Sequence, residues 1–114
     1  MIKRIPGSIP TRSKTVIHNG LVYTVTTAPT KSAPLYGQTK EALAIIDRSL
    51  ADAGSDKSRI LTATVFITDM SKKEEMNRAW DEWVDQDNKP ARATVEARLA
   101  SPDYKVEIAA IAAR

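Results

Sequence analysis

Cysteine is absent, which excludes disulfides, thiolate nucleophiles and thiolate metal sites together. Histidine occurs once, at His18, so a histidine-rich metal centre and a Ser-His-Asp triad with a spare base both lack their residues. Excess charge is scarce too: 17 Lys and Arg face 14 Asp and Glu, for a net charge of +3, and the basic residues are scattered among acids. That pattern is too weak for a nucleic-acid footprint, and no nucleic-acid partner is expected. No apolar run approaches the ~20 residues of a membrane-spanning helix. The start, Met1-Ile2-Lys3-Arg4-Ile5-Pro6, lacks the apolar core of a signal peptide. No membrane association and a cytoplasmic location are therefore expected. Gly7 and Gly20 are isolated and make no phosphate loop. The groups left for chemistry are arginine, carboxylates, hydroxyls, amides and ordered water.

A chain of 114 residues has the size of one domain, taken here as 1–114 with an arm at 1–13. A domain this small buries only about two-thirds of its unfolded surface, so association with further copies is a natural source of stability. Pro6, Gly7, Ser8, Pro10 and Ser13 give the arm little regular structure of its own.

Asn19-Gly20 between Thr15-Val16-Ile17-His18 and Leu21-Val22-Tyr23-Thr24-Val25 predicts a hairpin with a type I′ turn. Residues 26–34 read as a loop. Leu35, Thr39, Ala42, Leu43, Ile46, Leu50 and Ala53 recur at three- and four-residue steps, which predicts a helix ended by Gly54. Ile60 to Ile67 is rich in β-branched residues and reads as a strand. Asp69 or Ser71 can cap a second helix, with Glu74 completing a capping box and the helix stopping near Asp87-Asn88, before Pro90. That helix presents Met76, Ala79, Trp80, Trp83 and Val84 on one face, where core packing outweighs any base-stacking role for the tryptophans. Two strands follow, at about 92–99 and 105–112, with Ser101-Pro102-Asp103 as the turn between them. The order ββαβαββ predicts an α+β sandwich, with two helices on one face of a mixed sheet.

Strand alternation places Ala93, Val95, Ala97 and Leu99 on one face and Arg92, Thr94, Glu96 and Arg98 on the other. Likewise Val106, Ile108, Ala110 and Ala112 oppose Lys105, Glu107, Ala109 and Ile111. If the apolar faces carry the helices, Arg92, Thr94 and Glu107 project from the uncovered side. Two readings stand: a wet face with exposed ion pairs worth about 0–1 kcal/mol each, or a face covered by another copy of the chain. Ala109, Ile111 and Val25 suit the second.

Pro90-Ala91-Arg92-Ala93-Thr94-Val95, followed at a fixed gap by Val106-Glu107-Ile108 and Ala110-Ile111-Ala112, resembles the C-terminal signature of the RidA/YjgF family. Gln38-Thr39, Ala53-Gly54-Ser55, Thr64 to Met70 and Met76-Asn77 extend the resemblance from about residue 14 to the end of the chain. The segments 54–61 and Trp80-Asp81-Glu82-Trp83 are more similar to a shorter-chain branch than to archetypal RidA.

The resemblance implies a chorismate-mutase-like fold, a homotrimer with clefts between subunits, and hydrolysis of reactive enamines and imines such as 2-aminoacrylate to 2-keto acids and ammonia, without metal or cofactor. Carried onto this chain, Arg92 grips the carboxylate of a small substrate in a bidentate pair. Glu107 orients or deprotonates the attacking water. Thr94 stands where archetypal members often have cysteine, and Asn77 matches an asparagine near the site.

The chain also departs from the pattern. Val25-Thr26-Thr27 replaces a Ser-Gly-Gln, so an apolar group replaces the serine hydroxyl, and Thr11-Arg12-Ser13 after Pro10 lacks the family tyrosine. A non-catalytic trimeric binding protein for small 2-keto or amino acids therefore stands as the alternative. RNA cleavage ranks third, because no acid–base pair for it is apparent, and His18 reads as a strand-end residue. With a tight turn at 101–104, Glu107 pairs near Arg98, about 20 Å along the strands from Arg92. If both act on one small molecule, they come from different subunits.

Overall fold

The computed structural model describes residues 1–114. Six strands and two helices follow one another as β1 (Lys3–Pro6), β2 (Ser13–His18), β3 (Leu21–Thr27), α1 (Leu35–Asp52), β4 (Ile60–Ile67), α2 (Lys73–Trp83), β5 (Ala91–Glu96) and β6 (Val106–Ala113). The strands form one mixed sheet in the order β1-β2-β3-β6-β4-β5. Only the β4–β5 pair is parallel, with α2 as its crossover, and every other pair is antiparallel.

The β2–β3 hairpin turns on Asn19 and Gly20, both at positive φ (50° and 74°), as a type I′ turn requires. The stop at Gly54 (φ 79°) is a Schellman motif, with Gly54 N–H donating to the Ala51 carbonyl and Ser55 N–H to the Leu50 carbonyl. Both helices lie on one face. There Leu43, Ile46 and Leu50 of α1 and Met76 and Trp80 of α2 pack against Val22, Val65, Ile67, Val106, Ile108 and Ala112. β6 is the most apolar strand and sits inside the sheet, as its composition demands.

The first residues are more ordered than the sequence suggests. Lys3–Pro6 adds an edge strand antiparallel to β2, with a register shift at Ile5/Pro6. Four residues with an exposed pattern carry too little hydrophobic signal to be read against two prolines and a glycine.

The expected pairing of the last two strands is corrected. β4 lies between them, so residues 97–105 carry the chain across the sheet rather than around a hairpin. A turn does form, with Tyr104 N–H donating to the Ser101 carbonyl at 3.1 Å. β5 is also shorter than expected, ending at Glu96.

The capping box is replaced as well. The Asp69 carboxylate accepts from Ser71 N–H (3.0 Å) and caps a single 3-10 turn at Met70–Lys72 that leads into α2. The Ser71 hydroxyl and amide hold that carboxyl below the usual aspartate range. α2 stops at Trp83, because Val84 is extended and the Asp85 side chain caps its own turn through the amides of Asp87 and Asn88.

Gln38 is fully buried and ties three segments together. Its Nε2 donates to the carbonyls of Lys31, Ala33 and Asp103, and its Oε1 accepts from Lys105 N–H at 3.0 Å. Gln38→Leu removes the partner of the Asp103 carbonyl and of the Lys105 N–H, while the Lys31 and Ala33 carbonyls keep Lys105 Nζ as a donor, and an unpaired buried group costs about 1–3 kcal/mol. The unfolding free energy is therefore expected to fall by about 2–4 kcal/mol, seen as a lower urea midpoint with an unchanged slope. A loss below about 0.5 kcal/mol, the range of neutral surface changes, contradicts this role.

Candidate active site

β5 begins directly after Pro90 at the edge of the sheet, where a residue without N–H interrupts no ladder. Arg92 pairs with Ala63, and directly paired residues share a face. Ala63 is buried under the helices, so the Arg92 side chain lies on the helix side at the rim beyond α2. The expected placement on the uncovered side is thus corrected for Arg92 and also for Thr94, which pairs with buried Val65. The apolar-face rule fails here because β5 is an edge strand. Its Ala93 and Val95 face outward, while its half-buried polar residues edge the helix layer.

Three side chains of α2 cradle the guanidinium. Arg92 Nη2 donates to Asn77 Oδ1 at 2.7 Å, and Nη1 lies 3.6 Å from Met76 Sδ. Cζ stands 5.2 Å from the centroid of the Trp80 ring, within range of a cation–π attraction. Trp80 in turn meets Trp83 at 5.4 Å between centroids, and Trp83 Nε1–H donates to Asp47 Oδ2 at 2.9 Å. The platform is therefore locked to α1 from behind.

The direct partners of Arg92 are an amide oxygen and a thioether, both uncharged. Five N–H donors serve two partners, which leaves donors for a carboxylate. Thr94 lies on the same side, two residues on and about 7 Å along the strand. The structure thus brings Arg92, Asn77 and Thr94 onto one rim. It also gives Trp80 a role that core packing alone did not suggest. The signal for it is the spacing of Met76, Asn77 and Trp80, which puts Trp80 beside both of the others at i+4 and i+3.

Glu107 is elsewhere. It pairs with Phe66 on one side and Thr27 on the other, which places it on the sheet face opposite the helices. Arg92 is level with Ala63 and Glu107 with Phe66, so two strand spacings and three residues separate them, about 14 Å between Cα atoms. This replaces the longer hairpin-based separation. On opposite faces of one sheet, the two side chains cannot hold one small molecule within a chain.

The face around Glu107 is apolar and open in the single chain. Tyr23 and Val25 are each 41% exposed and Val95 40%. Val25, Tyr23, Val16, Ala109 and Ile111 line a shallow hollow of about 370 Å³ there.

His18 ends β2, with its Nδ1 buried and without a hydrogen-bond partner, away from the rim. No group of three or more His, Cys, Asp or Glu side chains is placed to hold a metal ion. No helix is long and apolar enough to cross a membrane.

Comparison with known proteins agrees with this architecture. The sequence profile of the Endoribonuclease L-PSP family matches residues 3–114. A RutC family protein of Haemophilus ducreyi is 51% identical over 102 residues, covering 89% of this chain and 87% of the relative. The RutC family protein YoaB of Escherichia coli K12 is 45% identical over 101 residues, covering 89% of each. The crystal structure of a YjgF family member from Neisseria meningitidis superposes with a TM-score of 0.95 at 40% identity, covering 100% of this chain and 95% of that one. With its two helices on a six-stranded mixed sheet and its Arg92 rim, the chain belongs to the RidA/YjgF/RutC family.

Proposed function

We propose that this chain hydrolyses reactive enamines and imines such as 2-aminoacrylate to 2-keto acids and ammonia, as a homotrimer with its sites in clefts between subunits. The observation that carries the reading is the Arg92 guanidinium, half-buried on an aromatic platform with only uncharged direct partners. A cation held in this way is preorganised for a small carboxylate. In the proposed reaction the enamine takes a proton at carbon and becomes the imine. Water adds to the C=N carbon to give a carbinolamine. The carbinolamine then expels ammonia and leaves the ketone. Arg92 anchors the carboxylate throughout, and Asn77 and Thr94 border the same ligand. Glu107, supplied by a neighbouring subunit, orients the water or takes its proton. The uncovered apolar face around Tyr23, Val25 and Ile111 supports association, since a sheet face of this composition gains by burial against another copy.

Val25 favours a second reading. It places an isopropyl group on the face that carries Glu107, where the family pattern has a hydroxyl. A trimeric protein that binds 2-keto or amino acids without turnover needs Arg92 but not a placed water.

A coupled assay separates the two. With 2-aminoacrylate generated in situ, the deaminase accelerates pyruvate release well above the spontaneous rate. A protein that leaves the rate unchanged yet binds 2-ketobutyrate is the binding module instead. Light scattering is expected to give the mass of three chains, and a mass near one chain removes the shared site.

A further inference from the structure

We infer that Glu74 is a positioning residue for Arg92, acting through the Asn77 side chain. The inference rests on the reading of Arg92 as a carboxylate anchor and adds what holds that anchor in place. Asn77 bridges two groups: its Oδ1 accepts from Arg92 Nη2 at 2.7 Å, and its Nδ2 donates to Glu74 Oε1 at 3.2 Å. A carboxamide is chemically two-ended. With oxygen toward the guanidinium the contact is attractive, and with nitrogen toward it donor meets donor. The Glu74 carboxylate, which only accepts, faces the other end of the amide and so selects the attractive orientation.

The spacing suits this task. Glu74 and Asn77 are i and i+3 neighbours on α2, so their contact needs no loop to hold it. The other nearby acids are engaged elsewhere: Glu75 accepts from Tyr36 N–H, and Glu96 accepts from Met70 N–H. Glu74 is therefore the acid whose carboxylate reaches Arg92 through a single amide. A carboxylate placed directly on the guanidinium would occupy the edge a substrate needs. One placed behind an amide fixes the guanidinium and leaves that edge free.

The test follows the Arg92 side chain itself by nitrogen NMR, reading rotation about its Cζ–Nη bonds, alongside the Kd for 2-ketobutyrate. Glu74→Ala is expected to speed that rotation about fivefold and to raise the Kd about threefold to tenfold, the effect of losing one hydrogen bond in a network. Glu74→Gln loses the charge and can donate as well as accept, so it no longer selects one amide orientation and is expected to fall between wild type and Glu74→Ala on both readouts. Glu75→Ala removes the other acid of the first turn of α2, so it measures any general effect on the helix start, and it is expected to leave Arg92 unchanged. In an Asn77→Ala background, Glu74→Ala should add nothing, because its route to Arg92 is gone. Unchanged Arg92 rotation in Glu74→Ala overturns the inference whatever the affinity does, and so does an equal effect of Glu75→Ala. If Glu74→Ala frees Arg92 while wild type binds no 2-ketobutyrate, the positioning role stands and the carboxylate reading falls.

Discussion

Arg92→Ala is expected to lower kcat/KM toward imine substrates by about 10²–10³. Truncating one side of a desolvated, hydrogen-bonded charge pair costs about 2–5 kcal/mol, and each ~1.4 kcal/mol is tenfold in rate. The proposed substrates are small, so the carboxylate is their main handle, and its loss is not offset by contacts elsewhere. Arg92→Lys is the informative companion. Lysine keeps the charge but loses the planar fork, and it cannot at once donate to Asn77 Oδ1, lie over Trp80 and hold both oxygens of a carboxylate. It should recover about a tenth of wild-type kcat/KM at best, with the deficit mainly in KM, because what it lacks is shared by bound substrate and transition state. Arg92 is at the rim rather than in the core, so neither change should cost more than about 1 kcal/mol of stability. Wild-type activity and 2-ketobutyrate affinity in Arg92→Ala would remove the site altogether.

The sequence makes the elements legible where one physical signal dominates. Asn19-Gly20 dictates its hairpin because few other residue pairs adopt positive φ twice. Gly54 ends α1 for the same reason, and the β-branched run Ile60 to Ile67 is a strand from its first residue to its last. Alternation also reports correctly on β6, whose Val106, Ile108, Ala110 and Ala112 are all buried.

Alternation does not report which strands are neighbours. Residues 97–105 contain turn chemistry that suits a hairpin, yet the parallel pairing of β5 with β4 through α2 puts β4 between β5 and β6. Nor does it report which face of an edge strand meets the helices. Ala93 and Val95 look like core by composition, but at the edge the face toward α2 is a rim, where an arginine with a long stem fits better than a small apolar residue. The site shows the same division. Arg92 and Asn77 enter through a family resemblance, and their 2.7 Å contact is a fact of three dimensions. Trp80 reads as core, and it is both core and platform, because its side chain is buried in the core cluster while the Arg92 cation lies over its ring.

Mixing two inactive variants is expected to restore activity if the site is shared between subunits. Arg92 faces the helix layer and Glu107 the opposite side of the same sheet, so each proposed site takes its arginine from one chain and its carboxylate from another. Trimers of Arg92→Ala have every carboxylate and no anchor, and trimers of Glu107→Gln have every anchor and no carboxylate. When the two are unfolded together in equal amounts and refolded, half of the anchor positions carry Arg92, and half of the subunits facing them carry Glu107. Random assembly thus leaves about one site in four intact, and activity should rise from near background to about a quarter of wild type. Mixing without unfolding tests exchange, and it should give recovery only as fast as subunits trade places. Glutamine at 107 is chosen because it keeps the size of the side chain while removing its charge and basicity, so the interface it lines is disturbed little. Recovery near a quarter cannot arise from a site built within one chain, since every chain in the mixture lacks one of the two groups. No recovery, in refolded trimers of normal mass, would mean that Glu107 does not act with Arg92 on one substrate, and the water would then need a different escort.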